Sequence, residues 1–244
     1  MNRPSTIVLV TTLAALLLLG AAVATYLLTR EPQIAALSKI TGMSPEIKAT
    51  KTRAEAGDAE AQNLLGELYS EGKQIRHDYK EAAQWYRRAA EKGLAKAQYN
   101  LGVLYDIGQG VPQSEAEALK WYRQAAEQGN AAAQYTLASM YGLGRGVPKD
   151  VKEALKWYHR AAEQGDALAR FNLAQRYERG KDVKPDFVEA YKWHSLATER
   201  GLNDAAVARN NLEGKLNAEQ LAEARKRVRE FNEKFPLSPE SKIE

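Results

Sequence analysis

The four tryptophans of this chain stand 36 residues apart, at Trp85, Trp121, Trp157 and Trp193. Three further columns keep the same interval: Tyr69, Tyr105, Tyr141 and Tyr177; Gly72, Gly108, Gly144 and Gly180; Gly93, Gly129, Gly165 and Gly201. A fixed period of this length is the signature of a tandem array. One such unit cannot bury its own apolar face, so each neighbour must supply the cover for the next.

Each unit reads as two helices. In the second unit, Ala97, Leu101, Leu104 and Tyr105 fall at i, i+4, i+7 and i+8 and make one apolar helical stripe. Gly108 follows at a position suited to a left-handed helix end, and Pro112 prevents the helix from continuing. A second helix then opens on Ser114 with Glu117 three residues on, a capping-box spacing repeated by Asp78/Glu81, Asp150/Glu153 and Asp186/Glu189. In such a box the cap oxygen accepts from an orphan amide and the Glu reaches back to the cap amide. Within that helix Ala118, Trp121, Tyr122, Ala125 and Ala126 recur at helical spacing. The alanines permit close approach, and the indole fills the space between units.

The pattern A-x-A-x-x-x-L-G-x-x-Y-x-x-G-x-G-V, followed by x-A-x-x-W-Y-x-x-A-A-x-x-G, resembles the Sel-1-like repeat family, helical repeats related to tetratricopeptide repeats. The resemblance covers Asp58 to Gly201 in four units: 58–93, 94–129, 130–165 and 166–201. It implies an all-α, right-handed α-solenoid (superhelix) of helix–turn–helix repeats that serves as an adaptor surface for proteins. Three departures stand out. Ala138 and Ala174 replace Gly66 and Gly102; His194 replaces the Tyr at positions 86, 122 and 158; and Lys181–Pro185 replaces the G-x-G-V-P loop, where a slightly altered turn is expected.

Outside the array, Thr6–Leu28 carries no charge and would span about 35 Å as a helix, enough to cross a hydrocarbon core of about 30 Å. It reads as a signal-anchor in the inner membrane with a periplasmic body. The alternative is a signal peptide cleaved after Ala22-Val23-Ala24, leaving a periplasmic or secreted protein. Residues 31–57 read as a linker and an N-terminal capping helix opening at Ser44-Pro45, and 202–235 as C-terminal capping helices, the last starting with Asn217-x-x-Gln220. Arg225, Lys226, Arg227 and Arg229 form a basic stripe there, read as a solvated face or as a contact for acidic lipid or an acidic partner. Residues 236–244 read as a disordered tail.

Charge and composition narrow the function classes. Lys plus Arg is 35 and Asp plus Glu is 31; the first thirty residues hold two of the cations and no acid, so the body carries 33 against 31. That is no nucleic-acid footprint. The absence of cysteine removes thiolate metal sites, thiol nucleophiles and disulfides. The three histidines, His77, His159 and His194, show no metal-ligand spacing, and phosphate-loop, nucleophile-elbow and zinc-helix motifs are absent. The expectation is therefore a chain with no catalytic, cofactor or metal site.

What the resemblance implies instead is a protein partner on the concave face, which the first helices line. By analogy with tetratricopeptide repeats, three columns at i, i+4 and i+7 carry recognition: Asn63, Tyr99, Tyr135 and Phe171; Glu67, Val103, Ser139 and Gln175; Ser70, Asp106, Gly142 and Glu178. Asn100 and Asn172 stand beside them as donors to a partner backbone. The aromatic column has a second reading, as packing against an adjacent unit. If it binds, Tyr99→Ala with Tyr135→Ala should abolish capture without unfolding. The function expected is a non-catalytic adaptor at the cell envelope; the alternative is an immunity protein that blocks a toxic secreted enzyme.

Overall fold

The computed structural model describes residues 44–236. The uncharged segment 6–28, the linker 31–43 and nearly all of the tail lie outside the described residues. Among the described residues there are eleven α-helices and no strand, and no helix is long and apolar enough to cross a membrane. Helix α1 (Pro45–Glu55) precedes four hairpins: α2 (Ala59–Glu71) with α3 (Tyr79–Glu91), α4 (Ala95–Ile107) with α5 (Glu115–Glu127), α6 (Ala131–Leu143) with α7 (Val151–Glu163), and α8 (Ala167–Arg179) with α9 (Phe187–Thr198). Helices α10 (Asn203–Glu213) and α11 (Ala218–Lys234) close the array. The architecture is an α-solenoid.

The second helices start where a side-chain oxygen accepts from an orphan amide. Asp78, Ser114, Asp150 and Asp186 accept from the amides of Glu81, Glu117, Glu153 and Glu189. The expected return bond is missing at all four. Glu117 and Glu153 turn to Lys120 and Lys156, and Glu189 pairs with Lys192 and Arg227. At these three starts an ammonium or guanidinium within reach outcompetes a neutral amide for the carboxylate; Glu81 makes neither bond among the described residues. The reciprocal box forms only at Asn217/Gln220, which heads α11. There the partner is a neutral amide with no such cation to attract it.

Each inter-helix loop is clamped by one backbone bond from the cap amide to the recurring tyrosine's carbonyl: Asp78 to Tyr69, Ser114 to Tyr105, Asp150 to Tyr141 and Asp186 to Tyr177, at 2.9–3.0 Å. The fourth loop, expected to differ, follows the same course. Asp182 holds φ +71°, matching Gly110 at +71° and Gly146 at +65°. Its carboxylate accepts from Arg176 at 2.6 Å, a bond glycine could not make, and that contact offsets the strain of a left-handed non-glycine residue.

The core is a stack of alanines wedged by indoles. Trp85, Trp121, Trp157 and Trp193 are all buried. Trp121 packs among Ala82, Ala83 and Ala89 of the preceding second helix, and Trp157 among Ala125 and Ala126. Trp85 does the same against Ala54 of α1, so α1 substitutes for a preceding unit. A buried glutamine staples each joint: Gln62, Gln98 and Gln134 donate to the carbonyls of Ala54, Ala90 and Ala126 at 2.9–3.2 Å. These carbonyls sit in the last turn of the preceding helix and also accept from the amides of Gly57, Gly93 and Gly129, so the glutamine occupies the second lone pair.

The far end is sealed differently. Arg170, fully buried, stands in the glutamine column; Nε donates to Ala162 O and Nη1 to Leu196 O, both at 2.9 Å. The Phe231 ring of α11 lies 5.5 Å from its guanidinium and 5.2 Å from the Trp193 ring. Most of the basic stripe on α11 is internally paired: Arg225 with Glu213, Lys226 with Glu230, and Arg227 with Glu189 and Glu223.

Candidate partner-binding face

The first helices α2, α4, α6 and α8 present the three expected columns, and the structure sorts them. The first column is largely interior. Asn63 is buried, with Nδ2 donating to Glu67 and Oδ1 accepting from Asn100, both at 3.0 Å. Tyr99, Tyr135 and Phe171 are half-buried, their rings 5.4–5.9 Å from Tyr122, Tyr158 and His194. Each ring thus meets the second helix of its own unit, and the Tyr135 hydroxyl also faces Asn172 of the next unit. Removing two such rings would loosen two hairpins, so Tyr99→Ala with Tyr135→Ala should lower stability as well as any capture of a partner.

The third column sits in the seams within and between units. Ser70 shares a hydrogen bond with the Tyr86 hydroxyl at 3.2 Å. Asp106 accepts from Arg145 of the next unit. Gly142 leaves room into which Arg176 reaches, its guanidinium 5.2 Å from the Tyr158 ring. Glu178 lies 3.6 Å from His194 and 3.3 Å from Lys215. Burial raises the pKa of Tyr86 to about 12 and that of Tyr122 still further, so both hydroxyls stay neutral donors. Asn100 and Asn172 are also committed: Asn100 ties α4 to Asn63 of α2, and Asn172 donates to Leu168 O at 2.9 Å and approaches the Tyr135 hydroxyl of α6 at 3.5 Å.

What stays open is the second column. Val103, Ser139 and Gln175 are half-exposed, and neither Ser139 nor Gln175 engages a side-chain partner. Glu67 borders them, held by Lys96 at 2.9 Å. The sequence reading missed the column one turn further on: Glu71, Ile107, Leu143 and Arg179. Ile107 is 53% exposed and Leu143 68%. The 36-residue spacing could have revealed these, but an apolar residue at a helix end looks like core. Val103 and Ile107, with Ser70, Glu67 and Asn100, line an open cleft of about 310 Å³ between the first and second units.

No constellation for chemistry accompanies this face. Among the described residues no group of three His, Asp or Glu side chains is placed to hold a metal. His77 stacks edge-on against Tyr79 in a loop. His159 packs on Trp193, and burial lowers its pKa. His194 is fully buried; burial lowers its pKa while Glu178 pulls the other way.

A stack of helical hairpins joined by buried staples, with one wall of its first helices left half-exposed, defines a helical-repeat scaffold. The Sel1 repeat family model matches residues 59–94, 95–130, 131–166 and 167–202, and the chain belongs to that family. Sel1 repeats generally mediate protein–protein interaction. Among solved structures, a protective antigen of uropathogenic Escherichia coli strains displaying an SLR fold is 34% identical with a TM-score of 0.72, over 83% of this chain and 44% of that one. This chain therefore spans less than half the length of that relative. A Sel1 repeat protein from Oxalobacter formigenes is 35% identical with a TM-score of 0.60, over 78% of this chain and 74% of that one. The immunity protein Pa5087 of Pseudomonas aeruginosa is 20% identical with a TM-score of 0.45, over 67% and 69%, a likeness too partial to speak to function. No curated protein matches the chain.

Proposed function

We propose that this chain is a non-catalytic adaptor that holds a partner protein against the open wall formed by Val103, Ser139, Gln175, Ile107 and Leu143. The observation that carries this reading is the exposure of Ile107 and Leu143 at one register position in adjacent units. Single exposed aliphatics are ordinary, whereas aligned ones beside a cleft make an apolar patch of the kind that partners cover. A photo-crosslinking residue placed at position 103 or 139 should capture a discrete protein in cells. The same residue at position 127, exposed on α5, should not. Equal capture from position 127, or none from 103 and 139, would overturn the reading.

Within this proposal the uncharged segment 6–28 tethers the array to the inner membrane, with the body in the periplasm. Carbonate extraction and an intact mass test this. A soluble protein lacking its first 24 residues would replace the tether with a cleaved leader.

A further inference from the structure

We propose that the open wall reads an extended segment of its partner by charge order: a cationic side chain over the first unit, apolar side chains over the second and third, and a carboxylate over the fourth. This rests on the reading above and adds what the partner must present.

Two columns one helical turn apart change in the same sense along the array. Glu67 is followed by Val103, Ser139 and Gln175; Glu71 is followed by Ile107, Leu143 and Arg179. Residues four apart share a helix face, so the two columns form one strip that runs from acid through apolar to base.

The basic end is a built recess. Arg176, Arg179 and Lys181 line a cleft of about 90 Å³ with Asn172 and Gln175. Asp182 neutralises Arg176. Among the described residues no acid pairs with Arg179 or Lys181, and the Gln175 amide has no hydrogen-bond partner. Guanidinium and ammonium groups only donate, so donors outnumber the two amide oxygens of Asn172 and Gln175 in the recess, and a carboxylate makes the strongest match.

The opposite end has the reverse polarity. Glu67 and Glu71 border the larger cleft, and among the described residues they pair with Lys96 and Lys73, at 2.9 and 3.0 Å. Both lysines are well exposed, and pairs of that kind contribute about 0–1 kcal/mol. A partner's Lys or Arg can replace them at little cost.

Between the ends, Ile107 and Leu143 offer two exposed aliphatic side chains, and the charges nearest them in sequence, Asp106 and Arg145, pair with each other. A uniformly anionic polymer would meet Glu67 and Glu71 at one end and a dry stretch in the middle. A polypeptide can alternate all three chemistries. Four first helices spaced about 10 Å apart make a strip about 30 Å long, which about nine extended residues cover. Opposite charges at the two ends also fix the direction in which the segment lies.

The test is selection of a displayed random 12-residue peptide library on the full chain, followed by titration of the recovered sequences as synthetic peptides. Recovered peptides should carry Lys or Arg at one end, apolar residues centrally and Asp or Glu at the other. Arg179→Glu with Lys181→Glu should weaken them at least tenfold, as should Glu67→Lys with Glu71→Lys; circular dichroism should be unchanged. If either reversal unfolds the chain, Arg179→Gln with Lys181→Gln gives the same readout at smaller amplitude. Peptides without charge order, or affinities indifferent to both reversals, overturn the proposal. Inner-wall binding survives that result provided Val103→Glu still abolishes capture. Indifference to Val103→Glu, or no recovered peptide, overturns both.

Discussion

Trp157 sits among Ala125 and Ala126 of the preceding unit and Ala161 of its own helix, with 5% of its surface exposed. Small neighbours cannot swell to fill the hole its removal would leave, so Trp157→Ala should cost about 3–5 kcal/mol, measured by urea denaturation. Gly110 is constrained more sharply. At φ +71° an added Cβ would lie 2.1 Å from the carbonyl oxygen of Tyr79 in the preceding unit. Gly110→Ala should therefore destabilise by about 2–4 kcal/mol, from left-handed strain together with overpacking. His194 makes stability depend on pH. Its pKa in the fold lies below its ordinary 6.5 because it is buried. The unfolded chain then takes up the proton first as pH falls. The contribution is full above about pH 6.5 and drains as pH falls towards the folded value; His159 acts in the same direction. The urea midpoint should drop between pH 7.5 and 5.5, and His194→Tyr, the residue the other units carry there, should flatten part of that slope. The recurring indoles, tyrosines and glycines were legible in the sequence because burial and backbone geometry demand the same residue each time. Asn63 was not: it shares a register with Tyr99, yet its amide finds Glu67 and Asn100, and only coordinates show a polar residue turned inward.

At the scale of the helix, the capping spacing located four helix starts but overstated how they are held. Only half of each box forms: Glu117, Glu153 and Glu189 pair with nearby cations, while Glu81 makes no return bond without that cause. The two halves can be separated experimentally. Asp150→Ala removes the acceptor for the Lys152 and Glu153 amides and should cost about 1 kcal/mol. Glu153→Gln loses only an exposed pair with Lys156 and should change the melting free energy by under about 0.5 kcal/mol. Helix α11 behaves differently because Asn217 and Gln220 bond reciprocally; both substitutions there should register. The staple column of Gln62, Gln98 and Gln134 was present in the sequence at the same 36-residue interval. It passed unnoticed because a glutamine on a helix reads as surface, and its role depends on a carbonyl eight residues back.

Across the described residues, contacts run between neighbours: each hairpin touches the one before and the one after, and α1 and α11 cover the ends. Stability in such an array is a sum of unit and interface terms. Weakening the centre should therefore split the unfolding. In Trp157→Ala, amide exchange should accelerate in α6 to α9 while α2 and α3 stay protected; uniform acceleration would show that the array melts as one body. The joints themselves differ in one respect with a bearing on length. Three are closed by a neutral glutamine that meets a single carbonyl. The last is closed by Arg170, which spans two carbonyls and lies beneath Phe231. A glutamine joint can be duplicated freely, because each copy asks of its successor only what the original asked. The arginine joint cannot, since a second buried guanidinium would have no aromatic lid. A chain with an extra copy of residues 130–165 should fold as a longer array, while one with residues 166–201 copied in tandem should not. A single side chain thus acts as the terminator that tells a copyable pattern where to stop.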